Sequence, residues 1–223
     1  MKKIFLILFS LIALTSFSQE EVMFKTKGQH FNKILKQMVG CNIEMRYDIE
    51  NESVMLYAED GIGSICYMYK EAQIDSMSAI FEKYFKWEKQ AVEMKVEIEK
   101  SIKQISNLTA GFTYGSGDWN IDFSSTIGAS FFSQSTTNHQ LVLSFEKLQS
   151  SDNEYITHNL ERIYFSKEQV QEIAKGFDSG YIKSFLEKRK SQLKTHLNNS
   201  KRWLVRPRPW LRSIFPSFLH ILH

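Results

Sequence analysis

Histidines, cysteines, serines and paired carboxylates are the side chains that hold metals, pass protons or attack carbonyls. The six histidines here are His30, His139, His158, His196, His220 and His223. A metal site needs several ligands converging on one ion, and its short-range signatures are HExxH on a helix or paired CxxC. Neither occurs. His30 falls in an expected helix, with no His or acid at helical ligand spacing. His139 and His158 fall on consecutive expected strands. A hairpin centred near 151–152 sets residue 158 opposite about residue 145, roughly six residues or about 20 Å from His139. His196 lies on a basic helix. His220 and His223 stand at i and i+3, and two ligands make only an adventitious site. The spacing therefore assigns no metal, no cofactor and no catalytic residue.

Nucleophiles fare no better. No GxSxG elbow marks a serine. Gly111, Gly115 and Gly117 form a GxxxGxG run without the P-loop lysine or a following helix, which suits a hairpin. Cys41 and Cys66 are the two cysteines. If 42–48, 53–58 and 63–69 form a meander, the two lie about five residues out of level, or about 16 Å apart along the strands. A disulfide needs Cα atoms within about 7 Å. Both thiols are expected to be free.

Two segments look like binding surfaces. Residues 123–145 carry no Asp, Glu, Lys or Arg and include Phe123, Phe131, Phe132 and Phe145, with Phe112, Tyr114 and Trp119 just before. Such a surface suits a glycan or a peptide strand. However, Trp119, Ile121 and Phe123 alternate with Asn120, Asp122 and Ser124, as core and solvent faces do. The adjacent Phe131 and Phe132 break the pattern, placing one of them outside. The second segment is 201–223, basic, free of acids and holding all three prolines. Leu211, Ile214, Phe215, Phe218, Leu219 and Leu222 follow helical spacing, although Pro216 would kink the helix. Arg202, Trp203, Arg206, Arg208, Trp210 and Arg212 are the expected contacts with a membrane or anionic surface.

These residues need a scaffold, and its limits are visible in the 223-residue chain. Residues 1–18 read as a signal peptide: Lys2 and Lys3, then the apolar run Ile4–Leu14, then the small Ser16 and Ser18. The run is too short to span a bilayer, which takes about 20 residues. No Cys follows the cleavage point, which disfavours a lipid anchor. The leader resembles those of small bacterial exported proteins; that likeness covers the leader alone and implies no activity. Between leader and tail, residues 19–200 carry 21 basic and 25 acidic side chains. A mildly acidic body has no electrostatic reason to seek nucleic acid. Composition excludes a collagen, a disulfide mini-protein and a disordered chain.

Within 19–200 the apolar periods predict the elements. Phe31, Ile34, Leu35, Met38 and Val39 predict a helix over 28–39, stopped at Gly40. Strands are expected at 43–48, 53–58 and 63–69, joined at Glu50–Glu52 and at Asp60-Gly61. A helix follows over 71–92, then a strand from about 94 to 105. Further strands are expected at 110–115, 119–125, 128–133, 138–148 and 155–165, and helices at 167–176 and 181–198. One internal likeness stands out. Tyr69, Gln73, Ile74, Met77 and Phe81 match Phe165, Gln169, Val170, Ile173 and Phe177 at an offset of 96. Ser166 as N-cap with Gln169 at N3 makes a capping box. Lys70 cannot cap in the same way.

The expected fold is a single α+β domain: a mostly antiparallel, curved sheet with helices packed on one side, in two weakly similar strand-to-helix halves. The expected role is that of an exported, periplasmic or secreted, non-enzymatic binding or structural protein of the bacterial envelope. Its partner would be an envelope protein, peptide or glycan. The alternatives are an envelope hydrolase whose site assembles only in three dimensions, and a membrane-surface protein acting through 201–223.

Overall fold

A computed structural model describes residues 20–115 and 117–205, the side chains of 196–205 excepted. The leader, residues 206–223 and the side chains of Arg202 and Trp203 thus lie outside the described residues. The chain divides into two compact units between Asp178 and Ser179.

The first unit is α+β and antiparallel throughout. Strands β1 (Glu20–Asn32), β2 (Gln37–Asp48), β3 (Ser53–Glu59) and β4 (Gly63–Tyr69) form a meander that runs into helix α1 (Glu71–Met94). Strands β5 (Glu99–Tyr114), β6 (Asn120–Ser133) and β7 (His139–Phe145) follow. The two-residue strands β8 (Leu148–Gln149) and β9 (Thr157–His158) pair in an insertion. Strand β10 (Arg162–Phe165) then leads into helix α2 (Lys167–Lys175). The sheet order β1-β10-β7-β6-β5-β4-β3-β2 closes on itself. The closure is slight: β1 and β2 pair along their whole length, whereas β1 and β10 register only at Gln29 and Tyr164. Each half is four strands ending in a helix.

The inside of the closed sheet is the core. Tyr67 of β4 and Phe145 of β7 meet with ring centroids 5.1 Å apart, although β5 and β6 separate their strands in the sheet. Cys41, Ile43 and Met45 of β2 face inward and are buried, while Asn42, Glu44 and Arg46 line an outer groove. An apolar inside and a charged outside invert the pattern of a membrane-spanning barrel. No helix among the described residues is long and apolar enough to cross a membrane. Both helices of this unit serve the core. Phe81 of α1 and Tyr69 of β4 pack on Phe177, just beyond α2. Lys167 of α2 reaches Glu88 of α1 at 2.9 Å.

The two helix entries repeat. Gln169 Oε1 accepts the Ser166 N–H at 2.8 Å, and Gln73 Oε1 accepts the Lys70 N–H at 2.9 Å. Ser166 Oγ completes its box by accepting from Gln169 N–H.

The expected helix at 28–39 is instead a hairpin. Its apparent helical stripe is cross-strand geometry: Phe31 and Met38 are in-register partners, and Ile34 and Leu35 sit at the turn. Asn32 Oδ1 accepts the N–H groups of Ile34 and Leu35 at 3.0 and 2.9 Å, and Lys36 takes φ 53° to close the turn. Gly40 continues β2 rather than ending a helix, and His30 is a strand residue. The alternation at 92–98 is likewise not a strand. Helix α1 runs on to Met94 and ends at a left-handed Lys95. Strand β5 then merges two expected strands by absorbing their irregularities as register shifts. Strand β6 merges 119–125 with 128–133. The expected 138–148 and 155–165 shorten to β7 and β10, with the small β8–β9 hairpin between.

Both cysteines are free and buried. Cys66 pairs with Tyr57, which pairs with Glu44, so Cys41 lies three residues out of level rather than five. It also lies on the opposite face, since Glu44 and Cys41 are an odd number of residues apart along β2. Burial pushes each thiol up to about 12. Neither is expected to react with Ellman's reagent in the folded protein, whereas both should react in denaturant. Rapid native labelling of Cys41 would show that the β1–β2 ladder opens.

The second unit holds helix α3 (Ser179–Val205), which covers and outruns the expected helix at 181–198.

Candidate functional site

A groove of about 1080 Å³ is lined by outward side chains of β1–β3, by Trp119 and by helix α2. Its lining follows from strand period. Residues 42, 44 and 46 of β2 share a face with Tyr57 and Glu59 of β3, because in-register partners point the same way. Lys25 stands directly across from Glu44 and forms an ion pair with it. Arg46 sits at the centre. Its Nε donates to Glu44 Oε1 at 2.6 Å and its Nη1 donates to Glu20 Oε2 at 2.9 Å. Its guanidinium carbon lies 4.3 Å from the Tyr57 ring centroid. The Tyr57 hydroxyl donates to the same Glu20 oxygen at 2.9 Å.

Trp119 completes the cluster from the β5–β6 connection. Its ring meets Tyr57 edge-on, with centroids 5.8 Å apart. Gly111 makes room for it: a Cβ there would lie 3.1 Å from the indole. Beyond the cluster, Asn42 Nδ2 donates to Glu59 Oε2 at 3.1 Å. Thr26, on the inward side of β1 opposite Ile43, donates from Oγ1 to Glu172 of α2, which also lines the groove. Glu168 also lines the groove, so five carboxylates face three cations, Lys25, Lys27 and Arg46.

The electrostatics are those of a pre-paired site. Partial burial would raise the Glu44 carboxyl, but the hydrogen bonds from Lys25 and Arg46 outweigh it and hold the carboxyl below its usual range. Burial, with Cys66 and Glu20 nearby, pushes the Tyr57 hydroxyl far up, so it stays a donor. The arrangement presents a fixed guanidinium, two aromatic surfaces and an acidic rim.

The histidines form separate local pairs. His139 begins β7, and its Nδ1 lies 2.8 Å from Ser133 Oγ, which also accepts the Ile98 N–H. The ring stacks on Phe131 and its Nε2 is buried without a partner. His158 lies in the insertion at the other end of the barrel, with Nε2 3.0 Å from Asp60 Oδ2. Phe112 stacks on the imidazole and Tyr114 meets it edge-on. His139 and His158 stay apart, but through the insertion rather than the hairpin the spacing predicts. His30 faces the core with Nε2 unpartnered. Among the described residues, no group of three or more His, Cys, Asp or Glu is placed to hold a metal ion.

The uncharged run divides between the two faces. Phe131 is fully buried, and its neighbour Phe132 points outward onto Tyr164. The alternation at 119–124 is present with its faces reversed: Ile121 pairs with Gly111 on the outer face, where Trp119 and Phe123 are exposed. The inner position is taken by Asp122, whose Oδ2 accepts the Gln149 N–H of the insertion. No sequence motif marks Arg46, Glu44 or Tyr57. Their only trace in the sequence is the polar side of a period-two strand, which any solvated face would give. Comparison with protein families, curated proteins and solved structures finds no match to this chain.

Proposed function

We propose that the chain is a non-enzymatic binding protein, exported to the bacterial envelope, that holds a segment of an envelope partner in the groove lined by β1–β3, Trp119 and α2. The observation that supports this reading is the Glu20–Arg46–Tyr57–Trp119 cluster. Trp, Tyr and Arg dominate measured binding energies. Here the Arg is already clamped by two carboxylates and laid on an aromatic ring, so little side-chain freedom is lost on binding. Trp119 keeps 46% of its surface exposed beside that platform. The surplus of carboxylates favours a peptide with basic side chains over a neutral glycan.

Random-peptide display on the purified protein tests the reading. Peptides that place Lys or Arg next to an apolar side chain are expected to be enriched. Trp119→Ala should weaken them by about tenfold or more, the loss usual for a hot-spot aromatic. The substitution removes an outer-face side chain and should leave the thermal midpoint nearly unchanged. Absence of enrichment, or equal binding by Trp119→Ala, would overturn it.

A further inference from the structure

The tip of the β1–β2 hairpin exposes Phe31, Ile34, Leu35 and Met38 at 52%, 82%, 58% and 43% of their surface. Four large apolar side chains within eight residues is a heavy exposure for an ordered loop. The loop is ordered, by the Asn32 side-chain carbonyl on two backbone N–H groups and by the left-handed Lys36. Lys33 is tied to Glu161 at the foot of β10. The turn is thus built to hold Ile34 and Leu35 outward.

The tip also projects. Strand β3 ends at Glu59 opposite Asn42, so on that side β2 extends past its neighbour by the five residues Gln37–Cys41, about 17 Å. Ile62, on the β3–β4 turn at the same end of the barrel, is exposed as well. A protein partner would need a socket shaped to the exposed Ile34 and Leu35 at the turn. A lipid interface needs none, because it yields around aliphatic side chains entering about 5–10 Å. The charges match such a surface: Lys36 follows Leu35 and 31–38 contains no acid, while Lys33, on the other side of Ile34, is shared with Glu161. Basic side chains beside an inserted apolar pair favour anionic headgroups.

We propose that the β1–β2 hairpin tip is a membrane-surface anchor, which inserts Ile34 and Leu35 into an anionic lipid interface with Lys33 and Lys36 at the headgroups. This contact is independent of the groove and of residues 201–223. The test is co-sedimentation of the purified protein with vesicles of equimolar phosphatidylglycerol and phosphatidylcholine, against phosphatidylcholine alone. Binding is expected to the anionic vesicles. The double substitution Ile34→Glu, Leu35→Glu should cut it by about tenfold or more. Lys33→Gln, Lys36→Gln should cut it less and flatten its salt dependence. Arg206→Gln, Arg208→Gln in the tail should leave most of it. Lys33, Ile34, Leu35 and Lys36 are all exposed, and circular dichroism checks that the fold is retained in every variant. Vesicle binding unchanged by Ile34→Glu, Leu35→Glu would overturn the proposal, as would no vesicle binding at all. So would a wild-type self-association, read by light scattering, that the double variant abolishes while vesicle binding is absent; that would assign the tip to a second copy of the chain.

Discussion

Asp60→Ala is expected to lower the unfolding free energy by about 3–5 kcal/mol, the range for breaking a buried polar pair. Asp60 and His158 retain only 7% and 4% of their side-chain surface. The carboxylate does two jobs. Its Oδ2 faces His158, and its Oδ1 accepts the N–H groups of Ile62 and Gly63 at 2.9 Å each. Alanine strands a buried imidazole and leaves the β3–β4 turn without its acceptor. Asp60→Asn keeps the turn acceptor and should cost clearly less. Burial by itself would raise this carboxyl, but the hydrogen bonds from His158, Gly63 and Ile62 outweigh it and hold the carboxyl at about 2. Because the folded value lies below the unfolded one, near 4, the contribution is complete above about pH 4. It fades as the pH falls from about 4 towards 2. Its size is about 2 kcal/mol, since each tenfold change in proton affinity between the folded and unfolded chain is worth about 1.4 kcal/mol. Urea unfolding at pH 7 and pH 3 measures both effects. A cost below about 1 kcal/mol for Asp60→Ala at pH 7 would show that the pair does not secure the insertion.

Phe131→Ala should cost about 3–5 kcal/mol, whereas its sequence neighbour Phe132→Ala should cost less than about 1.5. Phe131 is fully buried and is the point where α1 meets the sheet. Its ring lies 5.7 Å from that of Tyr84 and 6.2 Å from that of Trp87, both on α1. It also stacks on His139. The Tyr84 hydroxyl donates to the His139 carbonyl at 2.9 Å, so the loss would loosen a helix-to-strand hydrogen bond as well as open a cavity. Phe132 faces outward onto Tyr164, where water can fill the gap. Paired denaturation curves, with Trp87 fluorescence following the helix contact, give the comparison. A larger cost at Phe132 than at Phe131 would mean that the face of β6 is assigned the wrong way round, and equal costs that Phe132 is packed as fully as Phe131.

The groove and the hairpin tip share strands β1 and β2 but use different parts of them. The groove takes the outward side chains of their middle, and the tip takes the turn that projects beyond β3. A protein anchored by the tip would keep the groove along the side of the barrel. Substitutions at Trp119 and at Ile34 and Leu35 should therefore act independently, as sites without shared partners do.

Much of the scaffold was legible before any tertiary information. The period-two run at 43–48, the apolar strands at 53–58 and 63–69, the Asp60-Gly61 turn, the helix from 71 and the capping box of Ser166 and Gln169 are all set by residues within a few positions of one another. Local backbone preference and nearest side-chain contacts decide such features, and both are written in short windows of sequence. That one of Phe131 and Phe132 turns outward was also legible, but not which of the two. The hairpin at 28–39 was not legible, because Phe31, Ile34, Leu35 and Met38 fit one helical stripe as well as they fit a turn with one cross-strand pair. What decided between them was a ladder to 37–48 and closure onto β10, contacts whose benefit appears only when distant strands meet. The same holds for the inward side of β6, for Trp119 on Tyr57 and for Asp60 against His158. Alternation names two faces of a strand, but only the closing of the barrel makes one of them the inside.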